Sequence, residues 1–255
     1  MLIRYEQGER QVWQVVHVPS VEAEDQRHLH RDLETLKRER ASTTARIKGL
    51  LSRQGIQVTS LTKLPEQLDA MRLWDGSPMP PGLRQRVLRV YAHHQFLSAQ
   101  IAEVEAERCA LLHDSTDASI DKIRQVMLLK GIGINGSWLL VMEFFGWREC
   151  KNRREVGGLA GFTPPPYQSG ESAREQGISK SGNRHGRWMT TELAWSWLRF
   201  QPESALSVWC RERFGSGGKR LRRMGSVAVA RKLLIALWRF LETGGLPEGA
   251  VLKEG

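Results

Sequence analysis

Two long apolar alternations limit what this chain can fold into more than any other feature. Positions 29, 33, 36, 40, 43, 47 and 50 step by four and three residues and hold Leu29, Leu33, Leu36, Arg40, Thr43, Ile47 and Leu50. The same stepping returns with Leu83, Val87, Val90, His94, Leu97, Ile101, Val104, Arg108 and Leu111. A stripe with a period of about 3.5 residues stays on one side of a helix and seeks a partner helix. Charged residues such as Asp32, Glu34, Lys37, Arg38 and Glu39 cover the rest of the first helix. Gly55 and the run Gly76-Ser77-Pro78-Met79-Pro80-Pro81-Gly82 break the pattern, so residues 54–82 read as a connector. Helices of matching period on either side of it predict a long antiparallel coiled-coil hairpin over residues 21–114. Two helices packed separately on a globular core are the alternative. Such an arm joins subunits into a homo-oligomer or spaces domains.

The rest of the 255 residues suffices for a sizeable core. A hydrophobic share of 40% and nine Trp exclude a wholly disordered chain. No stretch reaches the roughly 18 apolar residues of a membrane helix. The opening Met1-Leu2-Ile3-Arg4-Tyr5-Glu6 is too charged for a signal peptide. A soluble cytoplasmic protein without a membrane partner is expected. Cys109, Cys150 and Cys210 are odd in number and far apart, which excludes a disulfide framework and predicts three buried reduced thiols. His28 with His30, and His93 with His94, do not share a helix face, so no metal site is expected.

The net charge of +10 sits in one window. From Arg174 to Arg239 there are fourteen Lys and Arg against four Glu, and the remainder of the chain is balanced. A polyanion at that segment would release condensed counterions on binding. A well-solvated basic surface is the alternative.

Past residue 115 the composition changes. Val12, Val15, Val16 and Val18 suggest a short strand before the arm, whereas Ser115-Thr116-Asp117 is capping material for a helix carrying Ile120, Ile123, Val126, Met127 and Leu129. Lys130-Gly131-Ile132-Gly133 then leads into an apolar run, Trp138 to Phe145. Helix, Gly-hydrophobic-Gly turn and helix form a helix-hairpin-helix-like motif, in which Gly131 and Gly133 expose backbone N–H groups to a phosphate. A plain tight turn is the other reading. Residues 157–166, with three Gly and three Pro, are expected to be non-helical. They enter a Gly/Ser-rich loop, Tyr167 to Arg184, where Ser169, Ser172, Ser179 and Ser181 all qualify as nucleophiles. Helices resume near Asn183. Gly215-Ser216-Gly217-Gly218 precedes Lys219, Arg220, Arg222 and Arg223, and Arg231 and Lys232 lie off the apolar stripe of the last helix, Val227, Ala230, Leu234, Leu237 and Leu241.

Taken in order, Gly131-Ile132-Gly133, Leu159-Ala160-Gly161-Phe162-Thr163-Pro164, Tyr167-Gln168-Ser169-Gly170 and Gly177-Ile178-Ser179-Lys180-Ser181-Gly182-Asn183 resemble the C-terminal domain of insertion-sequence one-ten family transposases. The stretch Ala228 to Trp238 resembles the one-eleven-eleven subgroup. The resemblance covers essentially the whole chain and implies a mainly α fold: a remnant tail of a RuvC-like domain over 1–20, the coiled-coil arm over 21–114, and the serine-bearing domain over 115–255.

For function the resemblance implies a DNA recombinase of a bacterial mobile element, nucleoid-associated and guided by a structured RNA. Ser169 maps onto the family's nucleophilic serine. Arg174, Lys180, Arg184 and Arg187 are then suited to the charge that builds on the phosphoryl oxygens. Family members also carry a RuvC-like domain whose DEDD acids hold a divalent metal, expected to be magnesium. Residues 1–20 offer no such quartet, so the chain alone is expected to hold no cofactor and to lack complete transposase activity. A non-enzymatic module that binds nucleic acid and dimerises is the alternative.

Overall fold

The computed structural model describes residues 2–9, 18–164, 168–169, 172–173 and 177–253, with backbone only at 168–169 and 172–173. Most described residues are helical, and the strands amount to one short pair. The chain divides into two compact units, His28–Ser115 and the combination of Met1–Arg27 with Thr116–Gly255. The valines at 12, 15 and 16, read as part of a strand, lie outside the described residues.

The first helices are α1 (Leu2–Glu6), α2 (Val21–Ser52), α3 (Leu64–Leu68) and α4 (Pro81–Asp114). Of the alternating positions, Leu33, Thr43 and Ile47 on α2 are buried, as are Val87, Val90, Leu97, Ile101 and Arg108 on α4. The two helices run antiparallel. Ile47 and Leu51 near the end of α2 share a cluster with Val87 and Val90 near the start of α4, and Lys37 meets Glu105 at 2.6 Å. Residues 54–82 are more than a connecting loop. They form α3 and bury Ile56, Leu61, Leu64 and Leu68 in that same cluster, capping the helix pair. Gly55 adopts φ +80° there, and a Cβ on it would stand 2.9 Å from the Cβ of Trp74.

The other unit contains α5 (Ala118–Met127), α6 (Ile134–Leu140), a π-helical turn continuing α6 over Val141–Phe145, and α7 (Arg153–Leu159). Strands β1 (Gln168–Ser169) and β2 (Ser172–Ala173) follow, then α8 (Arg184–Phe200), α9 (Ala205–Phe214) and α10 (Lys219–Thr243). Its core packs Phe144, Phe162, Trp197, Leu233 and Leu237 together. Burial of each such side chain contributes about 1.5–3 kcal/mol. The Trp197 indole N–H donates to Ser204 Oγ at 2.9 Å, so this core ring leaves no polar atom unpaired.

Three expectations need correction. Residues 157–159 are helical: Asn152 caps α7 by accepting from Arg154 and Glu155 N–H, and the helix runs through Gly157 and Gly158 before the chain turns at Gly161, φ +67°. The buried face of α10 includes Val229, Ala230, Leu233, Leu234, Leu237 and Phe240, which leaves Val227 only half-buried. Cys109 is exposed, and Cys150 and Cys210 are half-buried. Among the described residues, no helix is long and apolar enough to cross a membrane.

Candidate nucleic-acid interface

Gly161 and Gly182 of the loop motifs are explained by backbone meeting backbone. Residues 159–163 and 179–183 lie side by side, joined by Ser179 N–H to Thr163 O, Lys180 N–H to Gly161 O and Asn183 N–H to Leu159 O. At Gly182 a Cβ would stand 2.3 Å from Leu159 O and 2.4 Å from Gly161 N, so only glycine fits. This double segment is a stem that fixes both ends of the stretch carrying β1 and β2. Those strands pair antiparallel, with Gln168 opposite Ala173 and Ser169 opposite Ser172. The Ser169 side chain lies outside the described residues, as does the whole of Arg174.

Asn183 closes the stem and also caps α8 by accepting from Gly186 N–H at 2.9 Å. Its side-chain N–H₂ donates to Glu143 Oε2 at 2.8 Å. Glu143, 3% exposed, receives a second bond from Arg27 Nη2 at 2.9 Å. Arg27 in turn lies 5.0 Å above the Trp147 ring. The π-helical turn sets this carboxylate under the stem. Sequence reasoning passed over it, although a lone Glu within the apolar run Trp138–Phe145 is the signal that would have found it.

Beside the stem opens a groove of about 1020 Å³ whose lining includes Phe162 of the stem and Gly177 and Ile178, which lead into its returning segment. Among the described residues seven cationic side chains line it: Arg153 and Arg154 from the first turn of α7, and Lys219, Arg220, Arg223, Arg231 and Lys232 from α10. No Asp or Glu among the described residues lines it, and Phe162, Trp209, Met224 and Val227 supply an apolar floor. Lys232 Nζ stands 4.4 Å from the centre of the Trp209 ring, a cation–π contact that steadies it at the wall. Arg153 and Arg154 lie outside the Arg174–Arg239 window and were missed. Their signal is the cluster Lys151-Asn152-Arg153-Arg154 ahead of a capping Glu155.

The remaining expected residues divide. Arg222 is not part of the groove lining; its Nε donates to Gly217 O at 3.3 Å. Arg187 is half-buried and donates to Ala160 O at 2.9 Å, tying α8 to the stem. Lys180 and Arg184 are exposed, and Lys180 holds φ +59°, a conformation costly for a non-glycine residue. Ser179 and Ser181 hydroxyls lie 3.0 Å apart, and Ser179 Oγ also meets Gly161 O at 3.3 Å, so both are engaged in the stem. Burial raises the Cys150 and Cys210 thiols above their ordinary range, which leaves neither an activated nucleophile.

In the turn between α5 and α6, Gly131 and Gly133 have unequal roles. Gly131, φ +88°, packs against α8: a Cβ would stand 3.0 Å from Phe200 Cβ, and Ser196 Oγ donates to its carbonyl at 2.6 Å. Gly133 is the exposed N-cap of α6, with open space around it.

Residues 123–208, from α5 into α9, match the Transposase IS116/IS110/IS902 family. The chain is 37% identical over 262 residues to a protein of Sinorhizobium fredii named as a transposase, y4rJ, covering 99% of this chain and 66% of that protein. It is 26% identical over 235 residues to the transposase for insertion sequence element IS1328 of Yersinia enterocolitica, covering 88% of this chain and 65% of that protein. The chain thus spans slightly under two thirds of these relatives' lengths.

Proposed function

The chain belongs to the IS116/IS110/IS902 transposase family, and on that premise we propose that it holds insertion-sequence DNA in the α7–α10 groove while Ser169 attacks a phosphodiester. The observation that carries this reading is the groove itself: among the described residues, seven cations and no acid line it, beside the stem from which the Ser169 stretch extends. Phosphates seated there would bring DNA to the serine, with positive charge ready for the developing phosphoryl oxygens.

In the chemical step the Ser169 oxygen bonds to phosphorus as one phosphorus–sugar oxygen bond breaks. The serine proton ends on the departing sugar hydroxyl. The phosphoserine ester conserves the bond, and attack by a different DNA hydroxyl rejoins strands and restores the serine. Guidance by a structured RNA and joining of copies through α2 and α4 belong to the same reading. Among the described residues no three His, Cys, Asp or Glu side chains form a ligand set. These residues therefore do not fit the magnesium ion the family resemblance implies.

The test is excision of the element, followed in cells with the gene as its element carries it. Ser169→Ala is expected to abolish excision and Ser172→Ala to spare it. Excision persisting in Ser169→Ala would overturn the assignment.

A further inference from the structure

We propose that the connector end of the α2–α4 pair is a second DNA-binding surface, where Arg46, Arg86, Arg89 and His93 grip the phosphate backbone of a duplex. On α4, Arg86, Arg89 and His93 are spaced by three and four residues, which puts them along one face. The antiparallel pairing brings Arg46 of α2 to the same place. Together they line a recess of about 570 Å³ floored by Val90. All four side chains are exposed, and no carboxylate among the described residues lines the recess. Their neighbours differ: Arg84 is paired with Asp69 at 2.8 Å, and Lys37 with Glu105.

The sequence balances the arm's charge in total, yet the fold sorts it by position. Residues 38–94, toward the connector, hold ten Lys and Arg against four acids. The opposite ends of the two helices, residues 21–37 and 95–114, hold four against nine. Like charges gathered without counter-charge repel one another, and an anion seated among them relieves that repulsion. Three guanidinium groups suit phosphate oxygens through paired N–H donors. No Phe, Tyr or Trp among the described residues lines the recess, so it has no broad platform for unstacked bases and suits a duplex backbone. A second copy's acidic arm end is the competing occupant. Two of its nine acids, Glu24 and Glu105, are already paired with Arg27 and Lys37. The choice of DNA rests on the function proposed above; the charge sorting does not.

The experiment measures binding of the full chain to a short DNA duplex by fluorescence anisotropy across a salt series. The combined variant Arg46→Ser, Arg86→Ser, Arg89→Ser is expected to lose about tenfold or more in affinity. Its salt slope should fall by about three, one for each phosphate that is no longer neutralised. Replacing the same arginines by Lys should keep most of the binding. If the triple variant melts early, Arg86→Gln and Arg89→Gln singly should each lower the slope by about one. Unchanged DNA binding overturns the proposal. So does a loss seen only with an RNA hairpin, or a loss of self-association in sedimentation without a change in DNA affinity. The groove variant Lys219→Ser, Arg220→Ser, Arg223→Ser runs alongside. If it alone binds normally, the groove reading fails and this surface stands.

Discussion

Gly182 and Gly133 show how differently two glycines of neighbouring motifs are constrained. At Gly182 a methyl group would press on Leu159 O and Gly161 N, main-chain atoms that cannot move aside. Gly182→Ala is therefore expected to cost about 1–3 kcal/mol of unfolding free energy in urea denaturation. Gly133 has φ −97° and open surroundings, so Gly133→Ala should cost at most about 1 kcal/mol, the difference between Gly and Ala as an N-cap. Equal losses at the two sites would contradict the close backbone approach in the stem. Glu143 is a third residue with a defined task. Removing it by Glu143→Ala would take from buried Arg27 one of two carboxylate partners, Glu24 being the other, and from Asn183 its acceptor, at a cost of about 1–3 kcal/mol by the same measurement. The glycine motifs were legible in the sequence because they are contiguous. The network from Glu143 to Arg27 and Asn183 was not, because its members are 116 and 40 residues apart and meet only once the chain has folded.

Among the elements, the α2–α4 pair was the most legible, since a 4,3 period specifies a buried stripe regardless of what surrounds it. The cap formed by residues 54–82 was not. Its Gly- and Pro-rich composition reads as a loop, while Leu64 and Leu68 find their burial in helices remote in sequence. A polar position within the stripe gives this pair a dependence on pH. His94 faces Arg40, and burial first, then that arginine, holds its imidazole below the ordinary pKa of 6.5. The unfolded chain therefore binds this proton more readily than the folded one. The stabilisation is complete above about pH 6.5 and is lost as pH falls from there through the lowered folded value. Thermal melting should drop between pH 7.5 and pH 5.5, and His94→Gln should flatten that drop. Glu105, held down mainly by its bond to Lys37, acts in the same direction but at lower pH.

At the scale of the whole molecule, cationic side chains gather in two places, the α7–α10 groove and the connector end of the arm. Counting along the sequence found the segment that supplies α10 but not Arg153 and Arg154, which join it only because α7 packs beside α10 across Gly157 and Arg231. Nor could counting find the sorting of charge along the arm, which appears only once the two helices pair antiparallel. The seven cations that, among the described residues, gather without an acid beside the stem carry the proposed role in DNA binding. The most direct test is the salt dependence of duplex DNA binding by the variant Arg153→Ser, Arg154→Ser, Arg220→Ser, with Ser169→Ala as its companion. The groove variant is expected to bind at least about tenfold more weakly with a slope reduced by about three, and Ser169→Ala to bind unchanged. A groove variant that binds DNA like the unaltered chain at every salt concentration would contradict that role.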